Sequence, residues 1–413
     1  MKKAVSLAMV AAMAISMIPA IPASAADVSI TIFNSKMEIQ SQLEEMAAQY
    51  SAEKGVDVEV YYSSDTVAAH MSTRYASNEP YTISMVDAKD IYSLAPEHGV
   101  DLSDQDWVKD TTQAIAIDGV TYGFPVCVEA RGIIYNKTAI EDTLGEEFDP
   151  ANYTTTEDFA ALLDALKENG METPTGVMKE DWSLAAHYLA EVYETRDDVQ
   201  GFIDALKAGE VDLAADERFN EMMDTFDLLK ENNYAADAAV AAVREDTEMY
   251  LADGDIAFMF GGNWDWSVLS EYDPAGEMGM MAVPQNNDAY NTKLVGGGSK
   301  YFFIDNSDQT SEEQVAAAKD FLNWLVYDEA GQTFLVDTCA LVPAFSNITL
   351  EVTDPLGVSV KAYADADALV DNYNYMPDDH YAKVGASFQK YLANEIDRAG
   401  FAAEIQDYWK SVA

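Results

Sequence analysis

The residues in this chain best suited to chemistry are aromatic planes set beside carboxylates and glycines. Trp264 and Trp266 follow Gly261 and Gly262, Trp182 follows Glu180 and Asp181, and Tyr373 and Tyr375 precede Pro377 in an irregular stretch. A partner that suits such a set has apolar C–H faces to lie on a ring and hydroxyls to pair with carboxylates and amides; sugars have both. Asp255 to Phe260 reads as a strand, which puts Trp264 at its C-terminal end, where open α/β sheets bind ligands. The two glycines are expected to let the backbone turn sharply there and present the indole outward. Trp324 lies instead on a regular helical pattern with Val315, Ala318, Leu322 and Leu325, and is expected in the core.

Other chemistries find little support. The four histidines, His70, His98, His187 and His380, are isolated in sequence and read as surface or packed side chains. Cys127 and Cys339 form neither a metal spacing nor a disulfide framework, and are expected to be two free thiols. No catalytic residue, metal site or cofactor is expected. With 73 acidic residues some carboxylate pair always looks suited to acid/base work, so the count alone does not argue for an enzyme.

The elements that must position these groups alternate between strand and helix. Val28 to Phe33 alternates as a strand, Ile39, Leu43, Met46 and Tyr50 fall at helical spacing before Gly55, and Val56 to Tyr62 alternates again. That is a β-α-β unit, which implies a parallel pair. A third strand is expected over Tyr81 to Val86. Thr154-Thr-Thr-Glu157 and Ser311-x-x-Gln314 read as capping boxes that open helices. Gly296 to Gly298 reads as a flexible lead into the strand Tyr301 to Ile304. The pattern as a whole predicts an α/β fold.

At 413 residues the chain is long for one core and suits two lobes. Lys2 and Lys3, an apolar run to about Met17 and Ala23-Ser-Ala25 form a leader with cleavage expected after Ala25. The following residue is Ala26, so no cysteine-linked lipid anchor is expected, and the product is expected outside the cell or in the periplasm. The net charge of −49 repels nucleic acid and anionic lipid, so neither is an expected partner. A hydrophobic content of 49% speaks for a folded chain.

Several blocks resemble the family 1 extracellular solute-binding proteins of bacteria. Asp118-Gly-Val-Thr-Tyr-Gly-Phe-Pro-Val-Cys-Val-Glu-Ala-Arg-Gly-Ile-Ile-Tyr-Asn-Lys137 is similar to that family's first crossing between lobes. Thr155-Thr-Glu-Asp-Phe159 resembles its helix start. Asp253-Gly-Asp-Ile-Ala-Phe-Met259 with Gly262-Asn-Trp264, Leu294-Val-Gly-Gly-Gly-Ser299 and Val342-Pro-Ala-Phe345 follow in the family's order. Pro80-Tyr81 and Met85 depart from its pattern. The resemblance implies a periplasmic-binding-protein-like fold: two α/β lobes joined by three crossings, near residues 128, 299 and 340, with a ligand cleft between them. The N-terminal lobe would comprise 26–128 plus 300–340, and the C-terminal lobe 129–299 plus 341–413. It also implies capture of a sugar, such as an oligosaccharide, for the membrane permease subunits of an ABC transporter, by a monomer that is not an enzyme. Its ligand positions map onto Trp264, Glu129, Asp87 and Lys89; Trp182, Trp266, Glu180, Asn34 and Tyr375 join them as loop candidates, and Arg131 either pairs with Glu129 or reaches a hydroxyl. A secreted glycosidase and a polyamine or metal carrier stay open as alternatives.

Overall fold

The computed structural model describes residues 28–274 and 276–412; the leader lies outside them. The strands are β1 (Ser29–Asn34), β2 (Asp57–Tyr62), β3 (Ile83–Asp87), β4 (Ile115–Ile117), β5 (Val120–Pro125), β6 (Val128–Asn136), β7 (Thr175–Gly176), β8 (Phe258–Gly262), β9 (Met278–Met281), β10 (Leu294–Gly298), β11 (Lys300–Ile304) and β12 (Leu369–Val370). They form two sheets, in the orders β2-β1-β3-β11-β5-β4 and β12-β10-β6-β8-β7, with β9 also paired to β6.

The first sheet grows from the β-α-β unit. β1 pairs in parallel with β2 and with β3. The helix Gln40–Lys54 between β1 and β2 buries Leu43, Met46, Ala47 and Tyr50, and Gly55 ends it in the left-handed conformation at φ +72°. β11 and β5 complete the sheet in antiparallel sense. Helix Glu312–Tyr327 opens on the capping box read in the sequence: Ser311 Oγ accepts from the Gln314 N–H at 3.2 Å, and Gln314 Oε1 accepts from the Ser311 N–H at 3.0 Å. Its Phe321 and Trp324 pack edge-on against Tyr50. The helix start near residue 155 is capped one residue later than expected: Thr155, not Thr154, accepts from the Asp158 N–H, at 3.1 Å.

The second sheet is organised by β6, a nine-residue strand antiparallel to β10, β8 and β9. At its end Asn136 accepts from the Ala139 N–H at 3.0 Å and donates to the Leu251 carbonyl at 2.9 Å. The Tyr-Asn-Lys block is thus a helix cap tied to a neighbouring helix. The chain passes between sheets from β5 to β6 and from β10 to β11. A third passage follows Phe345, whose ring packs on Trp107 and Phe124 of the first lobe, before helix Pro355–Asp365.

Gly262 and Gly296 serve space, and Gly297 serves conformation, at φ +151°. Gly296 to Gly298 belong to β10, and a Cβ at Gly296 would meet the Ala130 Cβ at 2.4 Å and the Glu129 carbonyl oxygen at 2.5 Å. Gly262 is extended, at φ −136°, a conformation open to any residue; a Cβ there would strike the Trp264 indole at 2.3 Å. Gly262 and Gly296 let ring and backbone approach closely, and Gly262 does not form the sharp turn expected of it.

Trp324 is 5% exposed and its Nε1 has no partner. Trp324→Ala should therefore destabilise the fold by about 3–5 kcal/mol, and Trp324→Phe by much less, because the unpaired N–H goes with it. Chemical denaturation of both variants checks the order; equal losses would contradict it.

Candidate functional site

The loop after β1 is built by Asn34. Its Oδ1 accepts from the Lys36 N–H at 2.8 Å, and its Nδ2 donates to the Lys36 carbonyl at 2.8 Å and to Gln40 at 2.9 Å. Asn34 is fully buried; its amide is spent on shaping the loop. What the loop presents is Lys36, 3% exposed, whose Nζ lies 2.5 Å from Glu129 Oε1 and 2.7 Å from Glu38. The second Glu129 oxygen accepts from Ser299 Oγ at 2.5 Å. One buried ion pair thus joins the first lobe to both strands that cross between sheets. The two carboxylates raise the Lys36 ammonium well above its ordinary value against the opposing effect of burial.

Asp87 and Lys89 stand at the end of β3. Asp87 pairs with Lys300 at 2.5 Å, and Lys89 reaches Asp378 at 2.5 Å. Asp378 belongs to the segment 371–379, whose Tyr375 packs on Tyr92 at 4.9 Å between centroids, so the two lobes touch at this rim. Arg131 anchors that segment from below: it donates to Asn372 at 2.7 Å and to Glu194, while Glu194 accepts from the Tyr373 N–H at 2.8 Å. Arg131 therefore pairs with Glu194 and not with Glu129.

Three rings form a wall on the second lobe. Trp264 and Trp182 flank His187, with centroids at 4.8 and 5.4 Å. Trp182 and His187 lie on a π-helical stretch, Trp182–Tyr188; such turns often mark functional sites. Arg244 lies 5.7 Å from the Trp182 ring and donates to Asp265 at 2.6 Å and to Glu248 at 2.8 Å. Asp265 in turn accepts from the Gly262 N–H at 3.0 Å, fixing the corner that carries Trp264. Glu180 caps the helix Arg244–Asp253 by accepting from the Arg244 N–H at 3.1 Å. Trp266 packs against the hydrophobic core.

The structure thus brings Trp182, Trp264 and Arg244 together on one lobe, and Asp87, Lys89 and Glu129 around the junction with the other. Arg244, Lys36 and Tyr92 escaped the sequence reading, and His187, read as a surface or packed side chain, packs against both indoles. The only local signal was His187 five residues from Trp182, on a segment that reads as an ordinary helix start. A surface groove of about 450 Å³ lies elsewhere, between Gln42, Glu45 and Gln49 and Asp328, Glu329 and Thr333; it holds no aromatic wall of this kind. Cys127 and Cys339 are both free thiols.

A family model described as bacterial extracellular solute-binding protein matches residues 45–377. The chain belongs to that family. Solved structures agree on the fold. RafE in complex with raffinose superposes with a TM-score of 0.77 at 20% identity, covering 93% of this chain and 99% of that one. The binding protein MsmE from Bacillus subtilis, in an open conformation, gives 0.76 at 17% identity, covering 94% and 98%. A sugar transporter protein from Bacillus licheniformis in complex with stachyose gives 0.71 at 18%, covering 94% and 100%. No curated protein matches the chain by sequence. No helix among the described residues is long and apolar enough to cross a membrane.

Two predictions follow from the buried charges. Lys36→Met leaves the Glu129 carboxylate buried without its cation, and should cost about 3–5 kcal/mol, whereas the double variant Lys36→Met/Glu129→Leu should recover most of that loss in denaturant melts. A single variant as stable as the double would remove the ion pair from its central place. Burial, with help from neighbouring acids, pushes Asp90 up to about 7, Glu191 to about 8 and Glu248 to about 9. Each such carboxyl lends the fold stability that is complete below its unfolded value, about 4, and is lost as pH climbs through the folded one. The protein should melt higher at pH 5.5 than at pH 8, and Glu191→Gln should narrow the gap by raising the melting temperature at pH 8. A higher melting temperature at pH 8 in the wild type would reverse this account.

Proposed function

We propose that the protein captures an oligosaccharide outside the membrane and hands it to the permease subunits of an ABC importer, without chemical turnover. The observation that carries this reading is the indole wall of Trp182 and Trp264 on the second lobe, standing across the junction from the polar ends of β1 and β3. Indoles lie against sugar C–H faces, and the charged groups opposite suit hydroxyls. Raffinose and stachyose in the complexes of structural neighbours are ligands of that chemistry.

The charge pairing favours a neutral ligand over a polyamine. Asp87, Glu129 and Asp378 already face Lys300, Lys36 and Lys89, so a cationic ligand would have to displace lysines at close range. In this reading residues 26–128 plus 300 to about 345 act as one lobe and 129–299 plus the rest of the chain as the other, the third passage coming a few residues after the expected 340 because Phe345 packs on the first lobe. They hinge around the three passages as the ligand enters. Trp264, Trp182, Asp87 and Lys89 contact the sugar, with Glu180, Asn34, Glu129 and Trp266 supporting them and Tyr375 at the rim. The protein works as a monomer, released by cleavage after Ala25.

Trp264→Ala should weaken sugar binding by about thirtyfold, the loss of about 2 kcal/mol typical of an aromatic anchor, with the melting temperature little changed. Calorimetric titration follows a thermal-shift screen of sugars, polyamines and metals, with chromatography of the incubated oligosaccharides. Wild-type affinity in Trp264→Ala would misplace the site, stabilisation by spermidine or a metal alone would replace the sugar, and any hydrolysis product would make the protein an enzyme.

A further inference from the structure

The segment 371–379 has no regular secondary structure, yet it is fixed to its own lobe at both ends. Arg131 and Glu194 hold Asn372 and the Tyr373 N–H, and the Tyr373 hydroxyl donates to Gln200 at 2.9 Å. At the other end Asp379 accepts from the Tyr408 hydroxyl at 2.8 Å. Tyr373 and Met376 pack on the hydrophobic core of that lobe. Tyr375 and Asp378 turn the other way and meet Tyr92 and Lys89 of the first lobe, at 4.9 Å between centroids and 2.5 Å between charged atoms. Lys89 and Tyr92 lie three residues apart on helix Ala88–His98, a spacing that sets them side by side on one face. Tyr375 and Asp378 are three apart as well, so the segment offers a ring and a carboxylate in register with a ring and an ammonium. Because its own lobe already orders the segment, little of the free energy of contact is consumed in ordering it. Neither contact has to stay made. Lys89 and Asp378 are one-third and two-thirds exposed, so water can take over both charges when they part, and Lys89 keeps Asp90 at 4.0 Å.

We infer that the segment 371–379 is a latch: through Asp378 on Lys89 and Tyr375 on Tyr92 it holds the two lobes together over a bound ligand and sets the rate at which that ligand leaves. This rests on the reading of the lobes as a hinge that closes over a sugar. One exposed ion pair and one aromatic contact favour the latched form by a factor of about ten, enough to lengthen occupancy and too little to prevent release. Salt screens an exposed pair far more than a buried one. It should therefore loosen the latch and leave the Lys36–Glu129 junction intact.

Asp378 and Tyr92 carry no proposed sugar contact, so variants at these two positions separate the latch from the binding groups. A water-soluble carbodiimide joins an ammonium to a carboxylate in direct contact with it. In the wild type it should link Lys89 to Asp378, seen by mass spectrometry as a joined pair of peptides. The yield should rise with raffinose or stachyose bound, fall at high salt and fall in Tyr92→Ala. Stopped-flow release of the same two sugars, followed by tryptophan fluorescence, supplies the rate. Asp378→Asn should release about threefold faster than the wild type, and Tyr92→Ala/Asp378→Asn about tenfold faster, with melting temperatures unchanged. Salt should speed release from the wild type and leave Asp378→Asn unaffected. Absence of the Lys89–Asp378 link, or release from the double variant at the wild-type rate, overturns the inference; in the second case sugar binding itself still stands. A link that forms in the wild type and is lost in Tyr92→Ala while neither sugar binds supports the latch and overturns the choice of sugar as its ligand.

Discussion

The ion pair between Lys36 and Glu129 connects parts of the chain that share no local structure. Lys36 sits in a loop of the first lobe, and Glu129 is the second residue of the strand around which the other lobe is built. Neither side chain has more than slight contact with water, and a fold that separated them would leave Glu129 without a cation and Lys36 with Glu38 alone in a poorly polarisable interior. Ser299, at the second passage between sheets, closes the set by donating to the free oxygen of Glu129. The position of the two sheets relative to each other is therefore tied to one geometry of three polar side chains, and the loop, the crossing strands and the walls of the junction are arranged around it.

The same strand carries a second buried charge two residues on, where side chains again point to the same face. Arg131 meets Glu194 and Asn372, and Glu194 holds the backbone of Tyr373. Glu129 thus looks to the first lobe and Arg131 to the rim segment of the second. The indole wall is supported on similar lines by Arg244, which joins Asp265 and Glu248 beneath it, with Asp265 holding the Gly262 N–H. The half-buried aromatic rings are backed by hydrogen-bonded polar groups, which keep them in position.

Contacts across the rim differ in strength from those at the junction. Lys89 and Asp378 are one-third and two-thirds exposed, and the Tyr375 ring that meets Tyr92 is largely in water. Exposed pairs of this kind contribute up to about 1 kcal/mol, far less than it takes to break a buried pair by removing one partner. A molecule fastened firmly where its chain crosses and weakly at the opposite edge has the arrangement that hinge motion needs.

Much of this was legible in the sequence because it depends on near neighbours. The β-α-β unit followed from alternation and helical spacing over Val28 to Tyr62, the capping box from Ser311 and Gln314, the core position of Trp324 from helical periodicity, and the strand before Trp264 from a short apolar run. The family resemblance rested on blocks in the right order. The partners of the charged residues were not legible. Lys36 and Glu129 are 93 residues apart and Arg131 and Asn372 are 241 apart, and nothing in either neighbourhood selects one acid from 73. Asn34, read as a ligand candidate, is occupied by its own loop, and the glycines at 262 and 296 answer to a ring and a strand that only the fold brings against them. His187 looked like any isolated histidine until the π turn set it between two indoles. Periodicity and capping are settled by the backbone within a few residues, whereas the pairing of a buried charge and the room beside a glycine are settled by whatever the packed chain delivers from far away.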